Sequence, residues 1–215
     1  MYEKLMQDLK LKYAPVGVKL IFDSNQNDVN LDQFELIDKY QRYCEYVRRA
    51  SQGEFLKLRK GDFTCVIGEI MLGFKKPSNL EFEKRLNFKG LKHVLLFPMN
   101  KLKIESVDCI LLTVTPKNCM DIIEAYTKIF KRPLKLEIGN HSGVCSDITA
   151  LVIKKEELNL SFLCPNSRIF ADFDDCELMC GIPKKMIKDL SEAIAHVIQE
   201  RNYDINLENH HINKK

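Results

Sequence analysis

The sequence predicts an α+β fold: two similar αβ halves related by an internal duplication, with a mixed or antiparallel sheet and helices packed on it. Three observations point there. Strand-like and helix-periodic runs follow one another in the same order on either side of residue 100. Each half carries a matched pair of cysteines, Cys44 with Cys65 and Cys145 with Cys164, and the second of each pair stands just before a predicted helix. Each half also closes on a strand and a proline, HVLLF before Pro98 and LMCGI before Pro183. The expected division is residues 1–99, residues 100–201 and a polar, frayed tail at 202–215, the two halves fusing into one globular unit.

Residues 2–12 carry helical periodicity through Leu5, Met6 and Leu9, and Pro15 ends it. VGVKLIF at 16–22 reads as a strand, and the polar cluster DSNQNDVN as a turn. Residues 31–50 place Phe34, Ile37, Tyr40, Cys44 and Val47 at helical spacing, with Gly53 as C-cap. A short strand is expected at 54–58 and a turn at Lys60-Gly61-Asp62. The next helix starts near Cys65, capped by Asp62 or Thr64, is apolar nearly all round and stops at Gly73. Residues 75–88 are charged and interrupted by Pro77, which suits a lid or a surface helix; 93–97 is a strand. In the second half, 107–114 is a continuous apolar strand suited to a sheet interior. An amphipathic helix at 118–130, a strand at 134–138 (LKLEI) and the helix of Cys145 at 142–153 come next. A strand at 157–163, a short helix at 166–173, a strand at 176–182 and a last helix at 184–200 complete the chain.

Composition narrows the function. The 215 residues carry a formal net charge of +3 with both signs well mixed. A nucleic-acid surface needs clustered cations, and the nearest approach, Arg48, Arg49, Lys57, Arg59 and Lys60, reads as a solvated helix and turn. No apolar run reaches the roughly 20 residues of a membrane span, and the amphipathic start MYEKLMQDLKLKY lacks a signal-peptide core. The expectation is a cytoplasmic protein with no nucleic-acid or membrane partner. Eight cysteines is a high count for such a chain. Without a secretory signal they read as buried thiols or metal ligands rather than a disulfide framework. The Lys-, Ile- and Asn-rich, Trp-free composition fits an anaerobic or thermophilic prokaryote.

Four soft thiolates brought to one point make a zinc or iron–sulfur site. If the halves are related by a twofold, Cys44, Cys65, Cys145 and Cys164 meet at their junction. Cys65 and Cys164 precede helices, whose N–H groups stabilise a thiolate. Arg48, Arg49 and Arg168 lie within about a turn of these cysteines in the sequence, and Arg48 and Arg168 are the candidates to offset a cluster's negative charge. The compact CxxC pairs that mark such sites most clearly are absent. Cys176 and Cys180 read as core thiols on one strand. His93, His141 and His196 are candidates for a Cys–His dyad. Asp172, Asp174 and Asp175 form a turn rather than a calcium loop. No P-loop, GxGxxG or HExxH occurs.

The runs APVGVKL, CEYVRRASQG, FTCVIGEIMLGF, GVCSDITA, LSFLCPNSR and CGIP together resemble the domain-of-unknown-function family 169, found largely in archaea and anaerobic bacteria. The resemblance spans nearly the whole chain. It implies that Cys44, Cys65, Cys145 and Cys164 belong to the family pattern, with Arg48 or Arg49, Gly53, Gly68, Gly73, Arg168 and Gly181-Ile182-Pro183 beside them. Cys109, Cys119, Cys176 and Cys180 match nothing in that pattern. The resemblance brings no activity with it. The expected function is therefore a four-iron cluster held by the four cysteines, serving electron transfer, redox sensing or cluster handling. The redox or protein partner is unspecified, and a homo-oligomer is compatible. The alternatives are a structural zinc protein and a module or enzyme that binds a small anion between the halves.

Overall fold

The computed structural model describes residues 1–23, 30–77, 83–102, 107–139 and 143–212, with side chains as far as residue 202. Its frame is a seven-stranded mixed sheet. At the centre β1 (Val16–Phe22) and β5 (Cys109–Val114) run antiparallel, Gly17 opposite Ile110. Outside β1 lie β4 (Leu91–Pro98) and then β3 (Leu56–Leu58); outside β5 lie β7 (Leu178–Pro183) and then β6 (Asn159–Ser161). All of these pairs are antiparallel. Two residues, β2 (Glu35–Leu36), add a parallel strand beyond β3. The order therefore reads the same outward from the β1–β5 pair, strand for strand, apart from β2.

Period-two alternation sends the side chains of each strand to two faces. Val16, Val18, Leu20, Val94, Leu96, Cys109 and Leu111 point to one. That face is covered by α2 (Tyr43–Ser51), α3 (Val66–Met71), a π-helix (Ser146–Ala150) running into α5 (Leu151–Lys155), and the region of α6 (Pro165–Phe170). Ile21, Leu95, Phe97, Ile110, Leu112 and Val114 point to the other, under α1 (Tyr2–Leu9), α4 (Pro116–Phe130) and α7 (Ile187–Ile212). The burial of β5 on both faces accounts for its unbroken apolar run.

VGVKLIF is a strand over the expected residues, and HVLLF and the 107–114 run form the bodies of β4 and β5. Several other expectations need correction. Helix α2 begins only at Tyr43; residues 31–33 are a single 3-10 turn, and Tyr40 stands 65% exposed rather than on a buried stripe. Helix α3 is not capped by Asp62 or Thr64 and is not buried all round: Cys65 is its N-cap residue and Val66 is 51% exposed. Asp62 instead accepts from the Arg59 N–H and closes the preceding turn. LKLEI is not a strand of the sheet, although its backbone touches β6 through one side chain, as described below. Cys176 lies outside β7 and is exposed, so it shares no strand with Cys180. The tail is helical in its backbone to Ile212. The polar cluster at 24–29, part of the lid candidate at 78–82, and His141 lie outside the described residues.

Gly181 shows how tightly the cysteine-bearing layer sits on the sheet. A Cβ built on it would stand 2.3 Å from the Ile148 carbonyl oxygen. The π-helix thus lays its backbone directly on β7, and only glycine leaves room.

A candidate thiol site

All four cysteines of the predicted set sit at helix starts on the same face of the sheet. Cys44 is the second residue of α2; Cys65 and Cys164 are the N-cap residues of α3 and α6; Cys145 immediately precedes the π-helix. The cysteine carbonyls open these turns, Cys65 accepting from the Glu69 N–H, Cys164 from the Ser167 N–H and Cys145 from the Ala150 N–H. That last bond skips five residues and is the widening that defines the π-turn.

The four thiols share one face of the sheet without standing together as ligands of a single ion. Cys145 lies within electrostatic reach of Cys65, Cys164 and Cys44, and Cys44 of Cys164. Ser167, fully buried, has its hydroxyl 3.2 Å from Cys164 Sγ and favours the ionised form of the Cys44 thiol. On the far side Gly143 approaches so closely that a Cβ there would be 3.6 Å from Cys164 Sγ. Burial pushes the Cys44 thiol up to about 12, although the Ser167 hydroxyl pulls it down. Burial likewise pushes Cys145 well above the ordinary thiol range, and its three sulfur neighbours push in the same direction. Both are therefore neutral thiols at neutral pH, and a metal binding them displaces protons.

Two buried polar networks hold this geometry. Tyr43, next to Cys44 and fully buried, bonds Thr149 of the π-helix through its hydroxyl at 3.2 Å, and Thr149 donates to the Val144 carbonyl at 2.7 Å. This fastens the Cys44 helix to the Cys145 turn. Asp147, wholly buried, accepts from the Gly143 N–H and the Ser161 hydroxyl, each at 3.1 Å, and from Lys84 at 2.7 Å. One carboxylate thus ties the loop before Cys145, strand β6 and the 83–86 segment together.

The structure gives the two predicted arginines other partners. Arg48 is 5% exposed, lies between the rings of Tyr13 and Phe173, and bonds Glu177 at 2.6 Å and the carbonyls of Ala171 and Asp172. Arg168 donates to the carbonyls of Phe162, Asp174 and Glu177. Both guanidiniums brace the loop between α6 and β7, which is also where the acidic run 172–175 forms its turn. Cys109, Cys119 and Cys180 are buried in the two cores, where burial raises their pKa. His93 lies on β4 and His196 is exposed on α7, beneath the opposite face of the sheet.

Sequence reading missed Ser167, Asp147 and Tyr43. A signal was present for two of them. Ser167 comes three residues after an N-cap cysteine, one turn above it, and Asp147 is the one charged residue between Cys145 and Lys154. Their partners are distant in sequence and so were not readable.

The chain matches, over residues 4–193, the profile of the family DUF169, described as "Uncharacterised ArCR". It belongs to the DUF169 family. A DUF169-length relative, the "Uncharacterized protein MJ0308" of Methanocaldococcus jannaschii, is 23% identical over 220 residues, covering 92% of this chain and 93% of that protein. No solved structure matches this DUF169 chain. No helix among its described residues is long and apolar enough to cross a membrane.

The donor set has the chemistry a cluster uses: four soft sulfurs at helix starts, Cys44 buried and the other three half-buried. Its spacing is not that of a single-ion site, since among the described residues no three His, Cys, Asp or Glu side chains stand together as ion ligands. Zinc would require the sulfurs to draw in to about 4 Å of one another, given a Zn–S bond of about 2.3 Å and tetrahedral angles. A cluster asks less, because each sulfur binds a different corner.

Proposed function

We propose that Cys44, Cys65, Cys145 and Cys164 hold an iron–sulfur cluster of the four-iron type, and that the protein serves electron transfer, redox sensing or cluster handling. The observation that supports this most is that Cys145 lies within electrostatic reach of three other thiols at helix starts on the same face of the sheet. When bound, such a cluster supplies one-electron redox chemistry at a potential set by charge, burial and hydrogen bonds to sulfur. The protein's own residues have separate tasks. Cys44 is the buried ligand, and Cys65, Cys145 and Cys164 the half-buried ones. Ser167 orients Cys44 and Cys164, and Asp147 fixes the loop that carries Cys145. The symmetric strand order supports reading the chain as two copies of one αβ unit, with two of the four cysteines from each. A cytoplasmic setting suits eight free thiols.

Anaerobic purification, or reconstitution with ferrous iron and sulfide, tests the proposal. The expected product is brown and holds iron and acid-labile sulfide at about four each per chain. Alanine at any one of the four cysteines reduces that content, whereas alanine at Cys119 does not. A colourless protein with one zinc per chain moves the reading to a structural ion. A protein that holds neither metal after reconstitution ends it.

A further inference from the structure

Residues 134–138, LKLEI, have the sequence of a strand and no ladder to belong to. Their backbone meets the sheet through one side chain. Asn159 of β6 accepts from the Glu137 N–H at 3.1 Å and donates to the Glu137 carbonyl at 3.1 Å, imitating a strand partner. Side chains alternate as on a strand. Lys135 and Glu137 line one surface with Lys155 and Asn159, whereas Leu136 lines an apolar groove on the other, with Pro116, Met120 and Phe162. In an extended chain successive residues also turn their N–H and C=O groups to opposite edges. With Glu137 facing Asn159, Leu136 and Ile138 face outward. Among the described residues the backbones of Leu134, Leu136 and Ile138 make no hydrogen bond. Leu136 is 39% exposed, Ile138 41% and Phe162 56%. An open, apolar edge of this kind is a template for another strand.

We propose that the strand it takes is the same segment of a second copy of this chain, antiparallel and centred on Leu136. The sequence is self-complementary in that register and in no neighbouring one. Leu136 faces its own counterpart, and Leu134 faces the partner's Ile138. Each of these pairs exchanges two backbone bonds through the groups that point outward. Lys135 lies opposite the partner's Glu137 and Glu137 opposite the partner's Lys135, so two attractive charge pairs form on one surface. On the other, Leu134, Leu136 and Ile138 of both copies join Phe162 in a shared apolar strip. The contact is isologous and closes as a dimer rather than a fibre.

Analytical ultracentrifugation over a concentration series reads the outcome, with far-UV circular dichroism to confirm folding. The wild-type chain is expected to dimerise. Lys135→Glu leaves only acidic residues at both positions and Glu137→Lys only basic ones, so each variant alone loses self-association at least about tenfold, the like charges meeting twice by symmetry. Mixed in equal amounts, the two variants restore a heterodimer, because every facing pair is then opposite in sign. A wild-type chain that stays monomeric throughout overturns the proposal. So do single variants that self-associate as the wild type does, or an equal mixture that stays monomeric.

Discussion

Replacing Gly181 by alanine isolates the contact that places Cys145. The new Cβ would stand 2.3 Å from the Ile148 carbonyl oxygen, 2.8 Å from Val152 Cγ2 and 3.0 Å from the Ile148 carbonyl carbon. Carbon atoms rest at about 3.5–4.0 Å from their neighbours, so the Ile148 backbone has to retreat by roughly 1 Å. Two of those three atoms are main chain and have no alternative rotamer. Relief therefore requires moving the π-helix, whose first residue follows Cys145. Overpacking costs about 1–3 kcal/mol, and a backbone obstacle belongs at the upper end, about 3 kcal/mol. For a domain of this size that lowers the melting temperature by roughly 6–12 °C. Thermal unfolding followed by circular dichroism measures it, with Gly139→Ala as control, since a Cβ there meets nothing within 4 Å. In the metal-free protein, alkylation of Cys145 should quicken in the same variant. A melting temperature within about 2 °C of wild type would refute the claim that this glycine seats the π-helix.

Three more outcomes follow from the same packing. Glu177→Gln leaves the buried Arg48 guanidinium without its counter-charge, at a cost of about 3–5 kcal/mol in chemical denaturation; a loss under about 1 kcal/mol would show that the pair is solvated. Because the Cys44 thiol is raised from an ordinary 9.0 to about 12, the folded state prefers it protonated. Its contribution is complete below pH 9 and is lost as pH rises towards 12, about 4 kcal/mol in all, and Cys44→Ala should flatten that alkaline slope in the metal-free protein. Asp147→Asn keeps the shape but removes the charge that answers Lys84. It should lower cluster content after reconstitution by more than Asp121→Asn does on the opposite layer, and equal content in the two variants would separate Asp147 from the site.

Much of this molecule was legible in its sequence, because much of it is local. VGVKLIF and CILLTV announce buried strands by composition alone, and Pro98 and Pro183 mark where β4 and β7 end. Cysteines just ahead of helices were visible at 65 and 164 for the same reason. The errors also have physical causes. Residues 31–42 have helical spacing, but beyond the 3-10 turn at Leu31–Gln33 the chain joins the sheet edge as β2, and Leu36 and Tyr40 stay in solvent. LKLEI alternates as a strand should, yet the sheet ends at β6 and offers it a single asparagine.

What the sequence by itself determined is most of the elements, their order and the cysteines ahead of the helices at 65 and 164, since each depends on residues within a turn or two of one another. Only the tertiary structure decided that Cys145 lies within electrostatic reach of the other three thiols, that Arg48 answers Glu177, and that the main chain of the π-helix rests on Gly181. Those relations join segments up to 129 positions apart. They are set by how the helices share one face of a sheet, which local periodicity does not encode.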